Sequence, residues 1–367
     1  MQVIYVNPFD RVSGYAAAGR EYLYALEYAG VKVKPIIFKN NEDPALLTLG
    51  EKDRLFTLSK NDVANDAPVI QNTVPDWWQR HDGRKNIGFL FWETEGFPTM
   101  WKRHLYMADK HWVCWEETKR SLIGAGVNES NIYVVPPVVN TSVFHPDISP
   151  LNIHSDKTFN FLTVFQYSYR KGVDVLLKAY LEEFDISEDV CLIVKAYGSN
   201  ASVEQNNMVK AWIKSIKSLV KKQHQPKILF RGDIVANNAF PNLLKSADVF
   251  VSSPRGEGLG MPMLQSMACG VPVITTGWGA QCQFVNNANG WLINYKKVQV
   301  NGMSHSPAYE SDQMWAEPDQ RHLRVLMREA YNNQELRLSK GIKARMIVDQ
   351  NYSYQSVGDI LIKGLEI

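Results

Sequence analysis

The densest chemistry in the chain falls in residues 253–272, SPRGEGLGMPMLQSMACGVP. Glycines alternate through it at positions 256, 258 and 260. An apolar run at 249–252 precedes them and reads as a buried strand, and Pro262 suits the first turn of a helix that follows. Glycine admits backbone angles and close approaches that a side chain blocks. A glycine-rich turn from strand to helix aims free N–H groups and a helix N-terminus at one point, which favours a phosphate. Glu257 lies inside the same turn. A carboxylate repels phosphate, so Glu257 suits a neutral, hydroxyl-rich group. A sugar carried on a diphosphate meets both demands. Gly-x-Gly alone would be an ordinary strand–loop–helix turn.

Six other groups of residues have types worth weighing beside it. Arg170 and Lys171 are adjacent cations at a predicted helix start, which by itself reads as a solvated pair. Ser13-Gly14-Tyr15 by itself reads as an ordinary turn. Glu93 and Glu95 lie in one acidic loop, which by itself reads as solvated. The cluster Pro75-Asp76-Trp77-Trp78-Gln79-Arg80 offers rings that either stack on a sugar or base or pack over a domain edge. Residues 99–115 mix Trp101, Trp112 and Trp115 with Lys102, Arg103 and Lys110, as a lipid-headgroup contact or a helix running into a strand. Lys210, Lys214, Lys217 and Lys221 share one face of a predicted helix, which reads as a solvated stripe or as a contact with an anionic surface.

The elements that must position these groups alternate in type. Short apolar runs at 3–6, 33–38, 68–71, 87–91, 111–114 and 131–135 predict strands, with a helix over 16–28. A polar break at 145–155 holds Pro146 and Pro150. The pattern then restarts with strands at 159–165, 190–196, 228–230, 249–252 and 271–275, and helices at 173–183, 203–223, 240–246 and 261–268. Helices are expected at 319–332 and 335–349, with one more at 354–365. Strands separated by helices imply parallel sheets covered on both faces. Two doubly wound halves in tandem follow, with ligands at the carboxyl ends of the strands and the cleft between the halves as the natural site. We expect a first domain over 1–148, a second over 149–349, and a tail of about 350–367 packing back on the first.

A length of 367 residues suits two such domains. A net charge of +2 gives little support to a dedicated nucleic-acid binder. Cys114, Cys191, Cys269 and Cys282 show no C-x-x-C pair, so they read as buried thiols in a reducing compartment. The N-terminus, MQVIYVNPFD, reads as a first strand and not as a leader, and no window approaches the length of a membrane span. The expected location is cytoplasmic, with peripheral membrane contact left open.

The string from Ala247 to Thr276 resembles the donor-site signature of the retaining family-4 glycosyltransferases, the glycosyl transferases group 1, at Ala247-Asp248, Pro254, Glu257-Gly258, Gly260, Pro262, Leu264, Met267-Ala268-Cys269-Gly270 and Pro272-Val273-Ile274. Residues 136–147 resemble the family's interdomain signature, and 164–180 its diphosphate-binding segment. The resemblance implies the α/β GT-B fold, two Rossmann-like doubly wound domains facing across a cleft. It implies that Glu257 and Lys171 are catalytic, Glu257 on the donor-sugar hydroxyls and Lys171 on the diphosphate. The donor set it implies adds Gly14, Tyr15, Arg170, Gly258, Leu259, Gly260, Met261 and Gln265. Gln265 stands where the family has a ribose-binding glutamate, and the family's upstream Gly-Arg pair is absent. Residues 88–98 resemble a family variant in which Glu93 or Glu95 faces the cleft, toward donor or acceptor.

The implied reaction is transfer of a hexose-type sugar from a UDP- or GDP-linked donor to a hydroxyl acceptor with retained configuration. The acceptor is a glycan, a lipid-linked or another hydroxyl compound. No Asp-x-Asp motif appears, so no metal and no cofactor beyond the nucleotide-sugar co-substrate is expected. The alternatives are a non-catalytic nucleotide-sugar or glycan-binding protein on the same fold, a sugar phosphorylase or epimerase, and transfer onto a nucleic-acid base.

Overall fold

The computed structural model describes residues 1–40, 43–153, 155–197, 202–303 and 306–366. The N-terminal half runs β1 (Gln2–Asn7), α1 (Gly14–Tyr28), β2 (Lys32–Ile37), α2 (Leu49–Ser59), β3 (Val69–Gln71), β4 (Asn86–Leu90), α3 (Thr99–Lys102), β5 (Lys110–Val113), α4 (Glu116–Gly124) and β6 (Ile132–Val134). All six strands pair in parallel, in the order β2-β1-β3-β4-β5-β6. The strands bury near-continuous apolar runs such as Asn86–Leu90, as a parallel sheet covered on both faces requires.

The C-terminal half runs β7 (Phe159–Gln166), α5 (Val173–Glu183), β8 (Val190–Tyr197), α6 (Val203–Leu219), β9 (Lys227–Arg231), α7 (Phe240–Lys245), β10 (Val249–Ser252), α8 (Met261–Ala268), β11 (Val273–Thr276) and β12 (Gly290–Ile293). Its sheet is also parallel, in the order β12-β11-β10-β7-β8-β9. Counted within this half, that is the doubly wound order 3-2-1-4-5-6 read from the other edge, and the direction of winding reverses between β7 and β10. Ligands of such sheets bind at that crevice, outside the carboxyl ends of the strands. The turns after β7 and β10 carry Arg170, Lys171 and Glu257.

Two features lie outside the alternation read from the sequence. Gly14 is the first residue of α1 and not part of a loop; the Ser13 hydroxyl caps the helix by accepting from the Ala16 amide. An antiparallel hairpin, β13 (Tyr295–Gln299) and β14 (Met314–Pro318), follows β12. The chain then forms α9 (Gln320–Asn332), α10 (Gln334–Asn351) and α11 (Tyr354–Glu366). Helix α11 returns to the N-terminal half, where Val357, Leu361 and Leu365 join the core of α1 and β1.

The aromatic cluster at 75–80 divides. Trp78 is buried, and Trp77 is exposed with its ring stacked on Phe38 at 4.8 Å. Trp101, Trp112 and Trp115 are buried, with α3 and β5 spanning their segment. Lys210 and Lys214 lie exposed on α6. Among the described residues no helix is long and apolar enough to cross a membrane.

Candidate active site

The turn after β7 is a single 3-10 turn, Tyr169–Lys171, ended by Gly172 at φ +61°. Only glycine fits there: a Cβ at 172 would stand 1.9 Å from the Ser253 carbonyl oxygen. The turn after β10 is laced to it. The Arg255 amide donates to the Arg170 carbonyl at 2.7 Å, and the Ser253 hydroxyl donates to the Gly172 carbonyl at 2.8 Å. Two segments far apart in the chain thus form one rigid surface at the switch point of the sheet.

On that surface the Lys171 ammonium meets the Glu257 carboxylate, Nζ to Oε2, at 2.5 Å. Burial alone would push the Glu257 carboxyl up. Lys171, Arg170 and the Leu259 amide outweigh it and hold Glu257 below the ordinary carboxylate range, so it stays an anion. Arg170 lies beside the pair. Its Nη1 donates to the Gly256 carbonyl at 2.7 Å, and its Nη2 reaches Glu93 Oε1 at 3.2 Å. Its Nε is buried with no partner. Burial pulls Arg170 down, but Glu93, Tyr309 and Glu257 raise it above its ordinary value, so it is a permanent cation.

Glu93 comes from the other domain, on the segment leaving β4. Tyr15, on the first turn of α1, donates its hydroxyl to the Phe91 carbonyl at 3.1 Å and accepts from the Phe91 amide at 3.0 Å. Gly14 is exposed beside it. Glu95 lies two residues beyond Glu93. Its backbone pairs with Met314, and its carboxylate holds Lys297 at 2.7 Å, so it serves the junction with the hairpin and does not join the Lys171–Glu257 pair.

The glycines act differently from the sequence expectation of room for a ligand. A Cβ at Gly256 would stand 2.3 Å from the Glu93 carbonyl oxygen, and one at Gly258 would stand 3.0 Å from the Trp92 amide nitrogen. They let the loop press against the backbone of the N-terminal domain. Leu259 and Met261 follow them into that domain's core, beside Phe91. Gly260, at φ +85°, starts α8. Gln265 is buried one turn further along α8.

Arg255 is central and was not singled out from the sequence. It is 1% exposed, bonds both oxygens of Asp174 at 2.9 Å, reaches Glu317 of β14 at 2.5 and 2.9 Å, and lies 3.8 Å over the Tyr169 ring. It sits at a position the resemblance leaves variable, so the sequence carried no signal for it. Among the described residues no group of three His, Cys, Asp or Glu side chains is placed to hold a metal ion.

Two half-buried cations, a fixed carboxylate and a helix start meet where a doubly wound sheet binds its ligand, and the comparison of sequences agrees with that geometry. Residues 156–301 match the model of the family described as glycosyl transferases group 1. The matched stretch spans both laced turns. The chain is 25% identical over 156 residues to the mannosylfructose-phosphate synthase of Agrobacterium fabrum, a match covering 41% of this chain and 34% of that protein. It is 27% identical over 174 residues to the D-inositol 3-phosphate glycosyltransferase of an Arthrobacter species, covering 46% and 39%. The matches thus take in less than half of the curated relatives' own length. In fold, the whole chain resembles HepE of Anabaena, solved with UDP and glucose, at a TM-score of 0.68 and 12% identity, with 100% and 99% of the two chains covered. It likewise resembles the sucrose-phosphate synthase of Thermosynechococcus elongatus, at a TM-score of 0.67 and 14% identity, with 99% and 98% covered. Both are likenesses of fold, and the fold is GT-B.

Proposed function

We propose that this protein is a retaining glycosyltransferase that moves a hexose-type sugar from a UDP- or GDP-linked donor to a hydroxyl of a saccharide or lipid-linked acceptor. The observation that carries the reading is the 2.5 Å contact of Lys171 with Glu257 at the switch point of the C-terminal sheet. In the free protein each acid neutralises a cation. On donor binding, Lys171 turns from Glu257 to the diphosphate oxygens beside the fixed Arg170, and Glu257 accepts hydrogen bonds from hydroxyls of the sugar. The two cations offset the charge that grows on the departing diphosphate, which is the role a metal ion would otherwise fill. The acceptor hydroxyl attacks the anomeric carbon from the face the diphosphate leaves. The leaving phosphate oxygen takes its proton as the carbon–oxygen bond to the diphosphate breaks. A relative named mannosylfructose-phosphate synthase, another named D-inositol 3-phosphate glycosyltransferase and a fold neighbour solved with UDP and glucose support this class of donor and acceptor. Gln265 would meet the ribose as a neutral acceptor.

The test is a panel of UDP- and GDP-sugars read by release of nucleoside diphosphate, with Glu257→Ala beside the wild type. The expected outcome is turnover of at least one donor and a loss of roughly a hundredfold in the variant, the size of losing one preorganised electrostatic contact. Wild-type turnover in a folded Glu257→Ala protein would remove Glu257 from the site.

A further inference from the structure

The hairpin β13–β14 and its connecting loop form an arm that leaves the C-terminal domain and reaches the segment after β4. Gln313 accepts from the Thr94 hydroxyl at 2.9 Å, and Glu310 accepts from the Thr99 amide and hydroxyl at 2.8 and 3.0 Å. The loop is seated on the turn that carries the cations: a Cβ at Gly302 would stand 2.6 Å from the Tyr169 ring. From this arm Tyr309 donates its hydroxyl to Glu93 Oε2 at 3.1 Å, while its ring stacks on Trp92 at 5.2 Å and 30°.

We propose that Tyr309 is a positioning residue for the donor site: its hydroxyl holds Glu93 and also lies against Arg170, so that the guanidinium of Arg170 meets the donor diphosphate already aimed. The inference rests on the glycosyl-transfer reading. Each oxygen of Glu93 has one partner, Arg170 on Oε1 and Tyr309 on Oε2, so the carboxylate is held at both ends. Arg170 in turn has Nη1 tied to Gly256 and Nη2 tied to Glu93, one in each domain. A planar guanidinium restrained at two nitrogens is fixed in orientation. The third nitrogen, Nε, is buried and unpaired. A buried cationic N–H without a partner is costly, and an oxygen from outside the chain removes that cost. A diphosphate oxygen supplies one. The Tyr309 phenol, pushed up first by burial and then by Glu93, remains a donor at every ordinary pH.

The rival is an arm that only latches the two domains together. Tyr309→Phe keeps the ring on Trp92 and removes the hydroxyl alone. Glu310→Ala releases the tip of the arm from Thr99 without touching Glu93. Both are compared in the full chain with Glu93→Gln and with the Glu93→Gln/Tyr309→Phe double variant. The readouts are donor KM and kcat for the UDP- or GDP-hexose that turns over, and UDP and GDP affinity by calorimetry. The expected result for Tyr309→Phe is a rise of about tenfold in donor KM, the factor that one lost hydrogen bond to a charged group commands. Its kcat should fall by less. The double variant should lose less than the sum of the two single losses, and Glu310→Ala should stay within twofold of wild type. Unchanged donor KM in Tyr309→Phe, additive losses in the double variant, or equal loss in Glu310→Ala overturns the proposal while leaving the reaction class intact. A wild type that neither turns over a donor nor binds UDP or GDP overturns both.

Discussion

Arg255 shows how much a single side chain can organise without touching a substrate. It holds Asp174 at the start of α5, Glu317 on β14 and the carbonyl of Tyr169, the last at 2.7 Å. Three elements that meet at the site are joined through one guanidinium. Removing one partner of a buried ionic cluster leaves the others charged and unpaired, at a cost of about 3–5 kcal/mol. Arg255→Met is therefore expected to destabilise the fold by about 3 kcal/mol, the lower end, because Glu317 keeps partial access to water. Chemical denaturation measures it, and a loss under 1 kcal/mol would show that the three elements are held together by packing alone. Glu257 and Lys171 were legible in the sequence because each sits in a local string with its own pattern. Arg255 and Tyr309 were not, because what makes them matter is a partner far along the chain and no local pattern records it.

At the scale of elements, the loop 253–260 is a joint between domains as much as a ligand turn. Gly256 leaves no room for a methyl group against the Glu93 carbonyl. Gly256→Ala is expected to push the loop off the N-terminal domain and lower turnover at least about tenfold, as a shift of the order of 1 Å at a reacting centre does. It should also raise the radius of gyration in small-angle scattering. A variant that keeps both turnover and radius would show that the loop can retreat without opening the joint. The strand–helix alternation was readable wherever strands are buried on both faces, as at β4 and β10. Helix α2 was not, because it buries little more than Leu55 and Leu58. The arm was missed for the same reason: β13 carries Lys296 and Lys297 and lies largely exposed.

For the whole molecule, Glu21 on α1 ties the crossing between the domains to the terminal helix. Its carboxylate accepts from the Asn140 amide, in the crossing between domains, and from the Tyr354 hydroxyl at the start of α11, both at 2.8 Å. Burial pushes its carboxyl up to about 7, against the lowering effect of those two bonds. A carboxyl with a raised folded value keeps its proton in the folded chain after the unfolded chain has lost it. Its contribution to stability therefore falls as pH rises from the unfolded value, near 4.5, to about 7, and is flat above. Glu21→Gln retains an oxygen for the same donors and has no proton to lose. Melting temperatures taken across this range should diverge in favour of the variant as pH rises, and parallel profiles would remove Glu21 as the source.

Helix α11 carries a consequence for synthesis. The chain builds the first domain's sheet, then the entire second domain, and only afterwards the helix that covers α1 with Val357, Leu361 and Leu365. Until then the first domain waits on the ribosome with an apolar face uncovered. The two halves are consequently not independent products of translation, and a fragment ending at residue 148 would carry that unsealed face into solution.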